Sequence, residues 1–263
     1  MAMSDLLYPI FYIPFTLAGI YVDSWLISGP LGEAVCKLYY FLSTVSSFVS
    51  IESLVLIALD RYKAVAFPLR PALISSKLCP FFILATWIVA LGVCSTILFA
   101  VKLVEYPSGQ LMCEWRWNEA FGESLPYTDY FLALCVVFLY IPIVLLSILY
   151  CIILIKLKTQ IAPGERLINA EKIREKRNRN VINMAIAIVI GFVLCWVPWS
   201  IIDLLTVFAW NSRLPCGVYK YGAIAWVMAD AYCAVNPIIC FVFSKNYRQG
   251  LKRLFNCCGA MQV

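Results

Sequence analysis

The sequence predicts an all-α membrane protein built as a bundle of spanning helices, and three observations carry that prediction. The 263 residues are 63% hydrophobic and 14% charged, with a mean hydropathy of +0.85; a soluble domain carries about 25% charged residues. The apolar residues gather into six runs, each reaching the roughly 20 residues that cross a bilayer as a helix. The basic residues gather on alternate connections between those runs, the asymmetry that orients spanning helices. In lipid only helices and closed barrels satisfy their own backbone, and no alternation of period two appears, so every run is predicted helical.

Composition also removes function classes. Histidine is absent, which takes away the commonest general base and the commonest metal ligand. With few acids inside the runs, no nucleophile–base pair can be assembled, so neither an enzyme nor a cofactor or metal centre is expected. The twelve cysteines mostly lie singly in apolar runs rather than at metal-ligand spacing. The net charge of +6 is concentrated in a few loops, which suits membrane lipids and protein partners better than nucleic acid. Asp5-Leu6-Leu7 follow Met1 without the pattern of a cleavable leader, so the first helix is expected to direct insertion.

The first run covers about 1–22, with kinks predicted at Pro9 and Pro14. The second, about 34–65, is unbroken and ends in Asp60-Arg61-Tyr62. A charge pair at the edge of so apolar a helix is costly, which marks it as functional, although a plain helix-end pair has the same pattern. The third, about 78–101, contains Trp87. The fourth, about 128–157, is broken by Pro142, with Tyr150 two turns further on. In the fifth, about 180–208, Phe192, Cys195, Trp196 and Pro198 stand on successive turns. Pro198 has no N–H for the carbonyl of Leu194, so a bend is expected there. The sixth, about 218–243, ends in Asn236-Pro237-Ile238-Ile239-Cys240. Beyond it Tyr247, Leu251, Leu254 and Phe255 recur at helical spacing, predicting a short amphipathic surface helix over about 244–256 before a tail at 257–263.

Arg61, Lys63, Arg70 and Lys77, then Lys156 to Arg179, then Lys245, Arg248, Lys252 and Arg253 mark one membrane face. By the excess of basic residues in inner loops, that face and the C-terminus are cytoplasmic. The opposite connections carry Asp23, Glu33, Glu105, Glu114, Glu119 and Glu123. Cys36 and Cys113 both fall on that outer, oxidising side, where a bridge is reasonable. Cys216 is a third outer cysteine without an evident partner.

Asp60-Arg61-Tyr62, Cys36 at the head of the same helix, Trp196-Val197-Pro198 and Asn236-Pro237 together resemble the rhodopsin-like (class A) G-protein-coupled receptors over nearly the whole chain. The resemblance implies a plasma-membrane receptor that binds an extracellular ligand and activates a heterotrimeric G protein. It implies that Asp60 holds Arg61 at rest, and that Arg61, Tyr62, Tyr150 and the loop residues Pro68 and Leu69 serve G-protein coupling. Ile51, Pro142 and Phe192 match a packing switch beneath the ligand pocket, with Trp196 one turn above Phe192 and with Pro198, Asn236 and Pro237 as further switch positions. The resemblance pairs Cys36 with Cys113 and places Ser43, Trp199, Asp203, Trp226 and Asp230 at pocket positions. A sodium site is matched in part, by Asp5, Ser50 and Asn236, while Tyr232 and Cys233 replace two usual polar residues. Cys257 and Cys258, after the surface helix, match palmitoylation sites.

Several departures qualify the match. Asp5 corresponds to an acid mid-way along the family's second helix, so six of seven spans are present and the first has no counterpart. A partial gene model is the expected cause, ahead of a six-span variant. Cys240 stands where a tyrosine usually links through water to Tyr150, and Arg177-Asn178-Arg179 replaces a stretch that often carries an acid for the arginine. The missing acid weakens that lock on the arginine, so high basal activity is expected. Asp230 stands where a retinal pigment needs lysine, and Ser43 where aminergic receptors usually carry aspartate. The stretches 58–65 and 178–198 resemble neuropeptide receptors, so a peptide ligand is favoured. Asp203 and Asp230 have no evident basic partner in the sequence. Unpaired carboxylates in an apolar site are costly, so the ligand is expected to carry a positive charge near its buried end. A transporter or channel would want internal repeats, and none is seen. A truncated, non-signalling fragment or a heterodimerisation partner is the alternative that the unmatched helix leaves open.

Overall fold

In the computed structural model the described residues are all but Met1, Asp23, 68–77, 161–168, 211–213, 244–247 and 251–263. Among the described residues, five helical stretches are long and apolar enough to cross a membrane: Gly29–Ala66, Cys79–Ala100, Tyr127–Lys156, Ile182–Phe208 and Cys216–Phe243. The first run differs from the single helix expected over 1–22. It forms two ten-residue helices, α1 (Ala2–Phe11) and α2 (Ile13–Val22), that meet at Tyr12. Pro9 and Pro14 have no N–H for the carbonyls of Asp5 and Ile10, which loosens the ladder on both sides of the joint. The chain nevertheless keeps its course, because Tyr12 N–H donates to the Tyr8 carbonyl at 2.8 Å and Thr16 N–H to that of Tyr12 at 3.1 Å.

Helix α3 (Gly29–Ala66) runs unbroken for 38 residues. The next run is again divided, into α4 (Cys79–Cys94) and α5 (Ile97–Ala100). Ser95 turns back at the junction, with its N–H and its hydroxyl both donating to the Gly92 carbonyl. After α6 (Trp117–Phe121), the fourth run is α7 (Tyr127–Cys135), a π-helical turn (Val136–Tyr140) and α8 (Ile141–Gln160). The widened turn falls where Pro142 cannot donate to the carbonyl of Phe138, a usual setting for a π-bulge. Helix α9 (Asn169–Phe208) starts ahead of the predicted 180. The residues Ala170-Glu171-Lys172-Ile173-Arg174-Glu175-Lys176 are mostly strong helix formers, a signal that a search for apolar runs passes over. A 3₁₀ turn, Cys216–Val218, leads into α10 (Tyr219–Phe243).

The connection after the third run adds a small non-helical element to the helical bundle. β1 (Val101–Glu105) and β2 (Leu111–Trp115) pair antiparallel, with Val101 opposite Trp115 and Leu103 opposite Cys113. The hairpin turns at Gly109, whose φ of +80° suits a residue without a Cβ. Its first strand continues the preceding apolar run, so composition alone hides the change from helix to strand.

The core lies in three tiers along α3. Cys36, Val45, Val49, Ala90, Cys94, Ile97 and Val101 pack at the disulfide end. Ile51, Leu139, Phe192, Cys195 and Tyr232 form the middle tier. Leu54, Ala58, Leu146, Tyr150, Ile153 and Ile182 belong to the tier toward Arg61. Large apolar side chains such as Phe81, Ile155 and Val227 stay exposed on the outside, as a surface facing lipid requires. Between helices in lipid the transfer term largely vanishes, so close packing and hydrogen bonds must hold the bundle. Gly191 shows how close that packing is: a Cβ there would lie 2.8 Å from a methyl of Val235 on α10.

Candidate ligand cavity and signalling switch

A cavity of about 420 Å³ is lined from α1, α3, α7, α9 and α10, with Trp115 of β2 also in its wall. Of the residues predicted for the pocket, Ser43, Trp199, Asp203 and Trp226 line it. The Ser43 hydroxyl is turned to its own helix, donating to the Tyr40 carbonyl at 3.0 Å. Asp230 is not among the lining residues; its carboxylate accepts the Tyr8 hydroxyl at 2.6 Å. One turn away, Trp226 Nε1 donates to the Tyr12 hydroxyl at 2.7 Å. Tyr8, Tyr12 and Tyr39 form a stacked column with centroids 4.7 Å apart at each step. These contacts latch α1 to α10. Sequence reasoning missed Tyr8 and Tyr12, although their spacing of four places both on one helical face.

Cys36 and Cys113 are joined in a disulfide that ties β2 to the head of α3. The same strand is held from the α2–α3 connection, where Trp25 N–H donates to the Leu111 carbonyl at 2.6 Å. Around the hairpin, Lys102 pairs with Glu119 at 2.9 Å and Arg116 with Glu114 at 2.9 Å. The Lys102 ammonium, donating to Glu119, holds that exposed carboxyl below its ordinary value.

The middle tier forms the floor of the cavity, because Ile51, Leu139 and Trp196 belong to both. Phe192 is fully buried there, stacked below Trp196 at 6.1 Å and edge-on to Tyr232 at 5.1 Å. Pro142 is buried as well, next in the chain to Ile143, which packs on this tier. Pro198 and Pro237 lie inside α9 and α10. Below the floor, Asp5 accepts Ser50 Oγ at 2.5 Å and Asn236 Nδ2 at 3.4 Å, so one buried carboxylate joins α1, α3 and α10. Ser46 adds a bond from its hydroxyl to the Ser4 carbonyl. Among the described residues, Asn236 Oδ1 and Trp196 Nε1 are buried without a hydrogen-bond partner.

At the far end of α3, Arg61 Nη2 lies 2.6 Å from Asp60 Oδ2. Tyr150 is buried in the tier beside them, and Tyr62 packs against that tier. Tyr62 also meets the Phe67 ring edge-on, over which Lys156 Nζ sits 5.3 Å from the centroid. Pro68, Leu69, Cys257 and Cys258 lie outside the described residues, as do the side chains of Arg177, Asn178, Arg179 and Cys240. So do Tyr247 and most of the predicted surface helix.

This order of cavity, packed floor, buried polar joint and terminal arginine accompanies a sequence match. Residues 1–240 match the profile described as 7 transmembrane receptor (rhodopsin family). The chain belongs to the rhodopsin family of seven-transmembrane receptors. As a member of that family it is a multi-pass membrane protein. It is 28% identical to the RYamide receptor of Drosophila melanogaster over 97% of this chain and 54% of that protein. Identity to the neuropeptide Y receptor type 1 of Xenopus laevis is 30%, over 98% of this chain and 70% of the relative. Identity to the neuromedin-K receptor of Rattus norvegicus is 30%, over 88% and 50%. The chain thus spans roughly half to two-thirds of the length of these relatives. For a rhodopsin-family receptor the arrangement has a direct chemical meaning: the cavity floor shares Ile51, Leu139 and Trp196 with the tier that packs α3, α9 and α10 together.

Proposed function

We propose that this receptor binds an extracellular peptide in the cavity and activates a heterotrimeric G protein at the Arg61 end, which faces the cytoplasm of a cell whose plasma membrane it spans. One observation carries the reading: Ile51, Leu139 and Trp196 line the cavity and also pack the middle tier. A ligand seated on them acts directly on the contacts between helices. It shifts the bundle only through its difference in affinity for two packings, about 5.5 kcal/mol for a swing from 1:99 to 99:1. The peptide class is supported by relatives named as receptors for RYamide, neuropeptide Y and neuromedin-K, and by a cavity walled largely with aromatic rings.

In this reading Ser43, Trp199, Asp203 and Trp226 face the ligand. Ile51, Pro142, Phe192, Trp196, Pro198, Asn236 and Pro237 change packing. Asp60 restrains Arg61, which meets the G protein with Tyr62, Tyr150, Pro68 and Leu69. The restraint is slight: Asp60 and Arg61 are 23% and 37% exposed, and pairs at such an edge are worth about 0–1 kcal/mol. Releasing Arg61 therefore takes little of the ligand's energy. The Asp5 carboxylate, the Ser50 hydroxyl and the unpartnered Asn236 Oδ1 are hard oxygen donors that fit a sodium ion. Bound there, the ion would supply positive charge that favours the resting packing. Cys257 and Cys258 would anchor the tail through palmitate.

The test is Arg61→Glu. G-protein activation in a cell assay should disappear while surface expression stays within about twofold, the range of a surface substitution. Normal signalling by that variant would refute the role.

A further inference from the structure

A second cavity, of about 300 Å³, lies at the disulfide end between α2, the α2–α3 connection, the head of α3 and β2. Leu26 and Met112 line it and are 55% and 40% exposed, and neither lines the first cavity. It is therefore reached from the disulfide end without passing through the first. Among the described lining residues, Tyr40 alone belongs to both.

The walls are mostly rings. Phe15 stacks on Trp25 at 5.0 Å, and Trp25 meets Tyr39 edge-on at 5.8 Å. Among the described lining residues none is charged. Two of the polar side chains are already engaged. Ser24 Oγ donates to the Leu111 carbonyl at 3.3 Å and accepts the Leu111 N–H at 3.2 Å. The Tyr39 hydroxyl is bonded to Thr16 Oγ1 at 3.1 Å. Trp25 Nε1 is different: it is buried and has no hydrogen-bond partner among the described residues. A buried indole N–H usually finds an acceptor, and leaving it unpaired is costly. A charged guest would lose its hydration here with no counter-charge to replace it. The volume stands at the lower end of the roughly 300–1,000 Å³ of ligand pockets, which limits the guest to a compact molecule.

We propose that this cavity is a second ligand site, for a compact uncharged aromatic molecule whose carbonyl oxygen accepts the Trp25 ring N–H. The inference goes beyond the peptide reading and does not rest on it. It also gives the site a bearing on the first cavity through Tyr40. The Tyr40 ring stands edge-on to Trp115 at 5.5 Å, and its carbonyl accepts the hydroxyls of Ser43 and Thr44. Trp115, Ser43 and Thr44 all line the first cavity. A guest in the second cavity thus buttresses one wall of the first.

The test uses the full chain in detergent micelles with benzophenone as the probe. On irradiation its carbonyl takes a hydrogen from a nearby C–H and the two carbon radicals join, so the adduct keeps the whole mass of the probe. Mass mapping should find the adduct on Met112. At a probe concentration below saturation, Trp25→Phe keeps a ring against Phe15 and removes the donor. It should lower that adduct roughly threefold to tenfold, the scale of one net hydrogen bond. Ala18→Leu, which fills the cavity, should lower it at least as far. On the wild type alone, 9-fluorenone should suppress the adduct at about a third of the concentration that fluorene needs, since fluorene has the shape without the acceptor. Adducts confined to the first cavity or to the lipid-facing surface overturn the proposal. So does a Met112 adduct that either substitution leaves unchanged. Equal suppression by fluorenone and fluorene overturns the carbonyl assignment without reference to any variant. None of these outcomes touches the peptide reading, which the Arg61→Glu assay tests separately.

Discussion

Replacing both bridged cysteines, as Cys36→Ala with Cys113→Ala, should lower stability and loosen the cavity together. The bridge closes a separation of 77 residues. Treated as chain entropy removed from a free unfolded chain, that closure is worth about 4.5 kcal/mol. The chain here is not free. Helices α3 and α4 lie between the two cysteines and remain inserted in lipid when the bridge is cut, so part of the entropy is never regained. The common range of about 2–4 kcal/mol is the better expectation. On the scaling of globular domains of similar size, this lowers Tm by roughly 4–16 °C. A thiol-reactive fluorophore in detergent reads the transition directly, because Cys94 and Cys195 are buried and react only as the bundle opens. Among the described cysteines, Cys79, Cys151 and Cys216 are exposed and contribute to the starting signal. Ligand binding should fall at temperatures below the new Tm, since Cys113 holds the strand that carries Trp115 into the cavity wall. An unchanged Tm would show that the hairpin is held by its hydrogen bonds alone and that the loop-closure reasoning does not apply.

Two further substitutions test the packing between helices. Tyr8→Phe removes the donor to Asp230 and should destabilise the bundle by about 1–2 kcal/mol, the range for such bonds within membranes. A double-mutant cycle with Asp230→Asn should return a coupling of at least 0.5 kcal/mol, roughly the threshold for residues in contact; additive effects would mean the latch contributes nothing. Gly191→Ala places a methyl 2.8 Å from Val235 Cγ1 and 3.4 Å from Ile239 Cδ1. Overpacking of this kind costs about 1–3 kcal/mol, and adding Val235→Ala should recover most of it. A thermal melt that shows no such recovery would place the strain elsewhere.

The helical class and the long unbroken helix that ends near Arg61 were legible without coordinates, because they depend on local properties. A stretch of about 20 apolar residues satisfies its backbone as a helix whatever its neighbours do, and the charge pair stands out against that background. The breaks at Tyr12 and Ser95, the hairpin and the early start of α9 were not legible from apolar length. Each depends on short-range hydrogen bonding that hydropathy does not register. The Cys36–Cys113 bridge lay between: the charge pattern put both cysteines on one side of the bundle, and their pairing came only through resemblance. What tertiary structure alone decided is which polar groups meet. Asp5 bonds Ser50 and Asn236 from two other helices, and Tyr8 reaches Asp230 across 222 residues of sequence. A sequence shows that two carboxylates are unpaired locally. Whether a partner arrives from the other end of the chain depends on how the helices are rotated and pressed together, and that rotation is set by the whole of the packing rather than by any one segment.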